Sequence, residues 1–249
     1  MPPIVLTFAA SDPTGGAGVQ ADLLTLAALG CHPLSVLTAL TVQDTSGVEH
    51  IETIAADLVT RQAERVLAES RVAAFKVGVV GSADNARAIA AVAAAHAQIP
   101  LVLDPVLASG RGDPLASDAV VRSLLERLVP RATVVTPNVP EARQLGGIER
   151  LLERGCRYVL LTGTHEDSAE VINRLYDESG LVREDRWPRL EGSFHGSGCT
   201  LASAIAASLA KGRQVPAAVR EAQEFTWQAL SESLRTGAGQ PIPNRFFGR

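Results

Sequence analysis

Apolar, β-branched runs alternate with helically spaced ones along almost the whole chain, and few folds accommodate that order. Residues 3–9 (PIVLTFA) form the first strand-like run, and a glycine-rich stretch follows. From Val19 to Leu29, the apolar residues Val19, Leu23, Leu26 and Ala27 recur at helical spacing. PLSVLTALTVQ (33–43), AAFKVGVV (73–80), PLVLDPV (100–106), ATVVTP (132–137) and CRYVLLTG (156–163) read as further strands. Between them, Ala56–Ser70, Ala83–Ala97 and Asp118–Leu128 read as helices, and NVPEARQL begins another. Strand, helix, strand in repetition predicts an α/β fold, with a central, mostly parallel sheet covered by helices on both faces. The pattern changes near Glu170, where EVINRLYD and LVREDRWP flank Glu178-Ser179-Gly180 and predict a small β-hairpin. Helices over roughly 198–211 and 215–234 close the pattern, and the tail from 237 to 249 reads as irregular. No internal repeat or low-complexity linker interrupts the chain, so residues 1–249 read as one domain.

Composition narrows the function classes. The formal charge is −4, with no Lys/Arg run, and aromatics are 4% of residues, which argues against nucleic-acid binding. Cys31, Cys156 and Cys199 form no CxxC pair and read as free thiols in a reducing compartment. The five histidines are scattered, so a zinc site is not expected. The Ala-rich run at 88–95 is too short for a membrane span, and the first residues lack a basic leader. A cytoplasmic protein with no membrane partner is the expectation; a homodimer is compatible with it.

In parallel α/β sheets, ligands sit beyond the carboxyl ends of the strands. That directs attention to loops 10–18, 43–50, 104–116, 137–141 and 163–169. SDPTGGAG (11–18) lets backbone approach a ligand, and Gly16 to Ala21 also fits a loose dinucleotide fingerprint or a plain flexible turn. Asp104 ends a strand, where it could hold magnesium or simply make an Asp-Pro turn. Asn138 and Glu141 share a helical face and equally suit a capping box. Gly196, Ser197 and Gly198 precede a helix starting near Cys199. Such a nest stabilises an anion, and a cysteine there is expected to have a lowered pKa. A small cysteine packed under a tight turn is the structural alternative. Taken together, a carboxylate set for magnesium, a nest and a base suit phosphoryl transfer. No Walker GxxxxGK[ST] motif is present.

AASDPTGGAGVQADL, LTALTVQDTSGV, VLDPV, SGRGDPL, TPNVPEA and FHGSGCTLASAIAASLAKG, in this order, resemble the hydroxymethylpyrimidine/phosphomethylpyrimidine kinases of the ribokinase superfamily. The resemblance covers nearly the whole chain. It implies a ribokinase-like three-layer fold. It also implies ATP- and Mg2+-dependent phosphorylation of a hydroxymethylpyrimidine and then of its monophosphate, in thiamine biosynthesis. By the same resemblance, Asp22 and Gln43 hold the pyrimidine ring, with Ala10 and Val79 shaping its pocket. Gly196, Ser197, Gly198 and Cys199 match the anion hole and catalytic thiol. Asp104, Asn138 and Glu141 match the magnesium-phosphate neighbourhood, with Asp104 and Glu141 facing the metal directly or through water. Thr162 and Gly163 match part of the ATP contact. Gly110, Arg111 and Gly112 match a mobile loop that covers the site.

Several positions depart from the family pattern. Ala10 replaces a common Gly, Val79 a common Met, and Arg111 a common Lys. Thr162-Gly163-Thr164 replaces a Lys-Gly-Gly-like stretch, and the connection from Gln144 to Leu152 is short. Ala10 and Val79 leave open a kinase specialised for the monophosphate, and Thr162-Gly163-Thr164 a non-catalytic pyrimidine sensor; pyridoxal, another small ring with a hydroxymethyl group, is a further possible acceptor, and Gly16-Ala-Gly18 leaves a dinucleotide oxidoreductase as the last alternative.

Overall fold

The computed structural model describes residues 1–110, 112–164 and 168–248. Among them, nine strands form one sheet in the order β3-β2-β1-β4-β5-β6-β7-β8-β9. These are β1 (Ile4–Ser11), β2 (His32–Gln43), β3 (Val48–Thr53), β4 (Val72–Val77), β5 (Leu101–Leu103), β6 (Val134–Val135), β7 (Tyr158–Leu161), β8 (Glu170–Asp177) and β9 (Gly180–Pro188). The six strands from β2 through β1 to β7 run parallel; β3, β8 and β9 pair antiparallel at the two edges. The expected mostly parallel sheet and late hairpin are therefore present, with the hairpin extending the main sheet rather than standing apart. β3 is an addition to the expected strands. It is a polar, half-exposed edge strand reached through a tight turn at 44–47.

Strand alternation sends side chains to two cores. Leu6 and Phe8 of β1, Phe75 and Val77 of β4, and Leu101 and Leu103 of β5 face one side. There they pack against α2 (Ala56–Leu67), α3 (Ala83–Ala95), α4 (Asp118–Ser123) and the apolar residues Leu145 and Leu151. Leu145 and Leu151 belong to two short helices, α5 (Val139–Gln144, with Leu145 as its C-cap) and α6 (Ile148–Glu153). Val5, Ala74, Val102 and Val134 face the other side, against α1 (Gly18–Ala28), α7 (Ser197–Ala210) and α8 (Val215–Ser231). The result is the three-layer arrangement the alternation requires.

Order reverses at β1: the chain steps out to β2, then back across to β4. That reversal opens a crevice at the carboxyl ends of β1, β4 and β5. α7 packs on the same three strands, so its N-terminus opens at the sheet centre. No described helix is long and apolar enough to cross a membrane.

Candidate active site

A cavity of about 400 Å3 lies across the carboxyl ends of the strands. Its lining includes Gln43, Val79, Asp104, Glu141, Thr162 and the whole segment from Gly192 to Cys199.

The turn expected to form an anion nest has a steric origin. Gly196 is left-handed, with φ +85 and ψ 16, and caps α7 without a side-chain hydrogen bond. A Cβ at Gly196 would lie 1.8 Å from the Gly16 carbonyl oxygen, so the nest is pressed onto the glycine-rich loop. Gly198 backs onto Asp104: a Cβ there would be 3.8 Å from Oδ1. The loop 10–18, the nest and the end of β5 thus converge on one point.

Beneath that point lies a charge cluster that the strand pattern alone did not single out. Lys76 is fully buried on β4, on the face toward α7. Its Nζ is 2.9 Å from Asp22 Oδ1, 3.0 Å from Oδ2 and 3.9 Å from Asp104 Oδ2. Burial opposes the ammonium, but Asp22, Cys199 and Asp104 outweigh it and hold Lys76 above its ordinary pKa. A lysine centred in an apolar strand was the available signal. Asp22 also accepts from Thr7 Oγ1 at 2.5 Å and Ser203 Oγ at 2.8 Å. It is fully buried and does not line the cavity. The expectation that Asp22 holds a pyrimidine ring is therefore corrected: its oxygens are committed to Lys76, Thr7 and Ser203. Gln43, Ala10 and Val79 do line the cavity.

Cys199 is buried, and its thiol is pushed up to about 12. Burial is the main cause; Lys76 and the Gly18 N–H pull the other way, and Asp104 and Asp22 add to the rise. The expectation of a pKa lowered by the helix N-terminus is corrected. Asp104 is also raised by burial, against the pull of Lys76, and its Oδ2 is buried with no hydrogen-bond partner. Glu141 is pushed up to about 8, by burial first and then by the charge of Asp104.

Asn138 and Glu141 form a complete capping box. Asn138 Oδ1 accepts from the Glu141 N–H, and Glu141 Oε2 accepts from the Asn138 N–H, each at 2.9 Å. Both residues also line the cavity, so the capping box does not take the pair away from it. Thr162 lines the cavity, but Gly163 does not. The Gly163 N–H is held by Asn173 Oδ1 at 3.0 Å, which corrects its assignment as an ATP contact. In the loop expected to cover the site, Gly110 lines the cavity and Gly112 does not. Gly112 instead closes a turn back to Ser109 at 2.9 Å. Arg111 lies outside the described residues.

The tail contributes more than its irregular pattern suggested. Arg245 is buried and donates to the carbonyls of Gly15 (3.1 Å) and Gly16 (2.5 Å) and to Thr200 Oγ1 (3.1 Å). It ties the glycine-rich loop to the first turn of α7. Gln240 reaches the cavity lining. On the hairpin side, Trp187 and Trp227 line the cavity with stacked rings 6.4 Å apart. The Arg220 guanidinium sits 4.4 Å over Trp187.

The sequence and the fold match known proteins across nearly the whole chain. The model of the phosphomethylpyrimidine kinase family covers residues 12–244. The chain belongs to that family. The hydroxymethylpyrimidine/phosphomethylpyrimidine kinase of Streptomyces coelicolor is 40% identical, over 96% of this chain and 92% of its own. Among solved structures, the phosphomethylpyrimidine kinase of Clostridium difficile is 32% identical, with a TM-score of 0.79 over 92% of this chain and 99% of its own. A pyridoxal kinase from Staphylococcus aureus, in complex with AMP-PCP and pyridoxal, is 27% identical. Its TM-score is 0.89, over 100% of this chain and 96% of its own. The fold is thus the ribokinase-like one of these vitamin kinases.

Proposed function

We propose that this kinase transfers the γ-phosphoryl group of ATP to 4-amino-5-hydroxymethyl-2-methylpyrimidine and then to the resulting monophosphate, in thiamine biosynthesis. The observation that carries the reading is the convergence of Gly196–Cys199, Asp104 and the glycine-rich loop at one point of one cavity. The family, and the 40% identity to a relative of that name, set the acceptor class.

Magnesium fits the residues present. Asp104 Oδ2 is buried and takes no hydrogen bond, with only the Lys76 ammonium 3.9 Å away, and Asp104 disfavours charge on Glu141. Both groups are hard oxygen donors that gain from a divalent cation. Asp104 and Glu141 would hold the ion, directly or through its water, and it would neutralise charge on the transferred phosphate. The N–H groups of the Gly196–Cys199 turn would face the moving phosphoryl oxygens. Cys199 Sγ would take the proton of the acceptor alcohol. Lys76 and the Gly18 N–H favour its thiolate, whereas Asp104 and Asp22 oppose it. The second transfer attacks with a phosphate oxygen and needs charge neutralisation more than a base.

Pyridoxal is a second acceptor reading, favoured by the TM-score of 0.89 to the Staphylococcus aureus pyridoxal kinase. An assay with magnesium and ATP separates the readings when the pyrimidine alcohol, its monophosphate and pyridoxal are offered singly. Turnover of both pyrimidines supports the dual kinase. Turnover of the monophosphate alone supports a specialised enzyme, and turnover of pyridoxal alone supports the second reading. No turnover of any acceptor would overturn the kinase assignment and leave a binding protein. We further assign the chain to the cytoplasm, where its three free cysteines stay reduced. A homodimer would cover the exposed Leu40 and Val42 on β2, and light scattering tests it.

A further inference from the structure

Asp12, His195 and Gln43 face one another on the cavity wall. His195 Nε2 is 2.7 Å from Asp12 Oδ2 and 3.4 Å from Gln43 Nε2. The Asp12 carboxylate also accepts from the Thr14 N–H (2.9 Å), the Thr14 hydroxyl (2.8 Å) and the Ala17 N–H (2.7 Å). Burial works against charge on Asp12, but His195 and these donors outweigh it and hold its pKa at about 2. Asp12 can therefore only accept, and the hydrogen between it and His195 must sit on Nε2. The imidazole has little freedom to turn away. A Cβ at Gly16 would lie 2.3 Å from His195 Cδ2, so the ring rests directly on that glycine, and the backbone N–H of His195 anchors the segment on the Pro241 carbonyl at 3.0 Å.

A fixed Nε2–H cannot accept from the Gln43 amide nitrogen. With nitrogen facing it, two donors would oppose each other 3.4 Å apart. A half-turn of the amide removes the conflict by exchanging nitrogen and oxygen in nearly the same volume. The Gln43 oxygen then faces His195, and its NH2 faces the cavity.

We propose that Asp12 and His195 are positioning residues that set the Gln43 amide, so that Gln43 presents a hydrogen-bond donor to the acceptor molecule. The acceptor edge meeting Gln43 is then a ring nitrogen or an oxygen, not an amino group. The inference rests on the proposed function, in which this end of the cavity takes the acceptor.

Three variants test it, with steady-state kinetics for each substrate and calorimetric binding of the acceptor. Gln43→Glu keeps an accepting oxygen and loses the donor; it should raise the acceptor KM by about tenfold or more, the effect of losing one hydrogen bond. The ATP KM should be unchanged. His195→Phe fills the ring volume without the Nε2–H and should raise the acceptor KM by about tenfold, with kcat within about threefold of the parent. His195→Gln retains a donor near the same place and should restore the acceptor KM to within about threefold. Gln43→Glu binding the acceptor as well as the parent would overturn the proposal. So would a fall in kcat for His195→Phe at constant KM, or a failure of His195→Gln to restore binding in a folded protein. Should His195→Phe not fold, Gln43→Glu and His195→Gln still decide. Turnover of no acceptor by the parent enzyme would instead overturn the functional reading, and this inference with it.

Discussion

Gly196→Ala isolates the geometry of the anion nest. Two effects follow from adding one methyl group. The first is conformational: at φ +85, a residue with a Cβ costs about 1–2 kcal/mol relative to glycine. The second is steric. The new Cβ would start 1.8 Å from the Gly16 carbonyl oxygen and 2.6 Å from its carbon. Carbon and carbonyl oxygen rarely approach closer than about 3.3 Å, so the nest and the glycine-rich loop must separate by about 1.5 Å. Both partners are backbone, and Arg245 clamps the loop from behind, so no side chain can absorb the shift. Misplacing a reacting group by about 1 Å costs on the order of 10²-fold in rate. Gly212→Ala is the matched control. Its φ is +82, nothing lies within 4 Å of the added Cβ, and it is remote from the cavity lining. Both variants should lose thermal stability, with the strain alone lowering Tm by about 2–8 °C in a chain of this size. Gly196→Ala alone should lose about 10²-fold in kcat/KM. Equal kcat/KM for the two folded variants would refute the claim that loop contact holds the nest in place.

Three further expectations rest on other parts of the site. Glu141 has a folded-state pKa of about 8 against an ordinary 4.5, so its contribution to stability is complete below pH 4.5 and lost as pH rises toward 8. Without magnesium the loss should be on the order of 5 kcal/mol; Glu141→Gln should flatten the dependence of Tm on pH, and a parent-like slope in that variant would contradict the reading. Cys199→Ala should slow phosphorylation of the alcohol by about 10²-fold while affecting phosphorylation of the monophosphate far less. Equal losses in separate product-resolved assays would remove the division of roles. Both of the chain's tryptophans line the hairpin side of the cavity, so ATP should change their emission, and Trp187→Phe and Trp227→Phe should each remove part of the response. Unchanged emission during calorimetrically verified nucleotide binding would place the nucleotide elsewhere.

The alternation of apolar patterns carried the layers and the sheet because each buried strand must show apolar residues on both faces. It missed β3, whose sequence VEHIET is half exposed and has no run to detect. The loops chosen for inspection do supply much of the cavity lining, since a parallel sheet gathers its strand ends on one side. Side-chain destination was harder to read. Asp22 sits on a helical face with Val19 and Leu26, both buried, and that spacing already pointed it inward. Lys76 shares its strand face with Ala74, which packs against α7, and the same alternation could have sent it under Cys199. The Asp12–His195 pair had no local signal. Its members are 183 residues apart and meet because α7 returns to the strand ends that the first loop leaves.

Cys199 shows why position on a helix was insufficient to infer its protonation state. A helix N-terminus favours a nearby negative charge by up to about 2 kcal/mol. Moving a thiol from an ordinary 9.0 to about 12 corresponds to about 4 kcal/mol against the thiolate. Burial therefore outweighs the helix field, and the two carboxylates below reinforce it. The cluster still contains the means to reverse that balance. Lys76 is permanently charged and fixed by Asp22, so its pull on Cys199 does not fade. Among the charges, Asp104 opposes the thiolate most, and Asp104 carries a buried oxygen without a hydrogen bond. A cation that satisfied Asp104 would remove that opposition and leave Lys76 and the Gly18 N–H acting on the thiol. The base would then become available when the site is charged for transfer, and idle cysteine would remain a protonated, unreactive thiol.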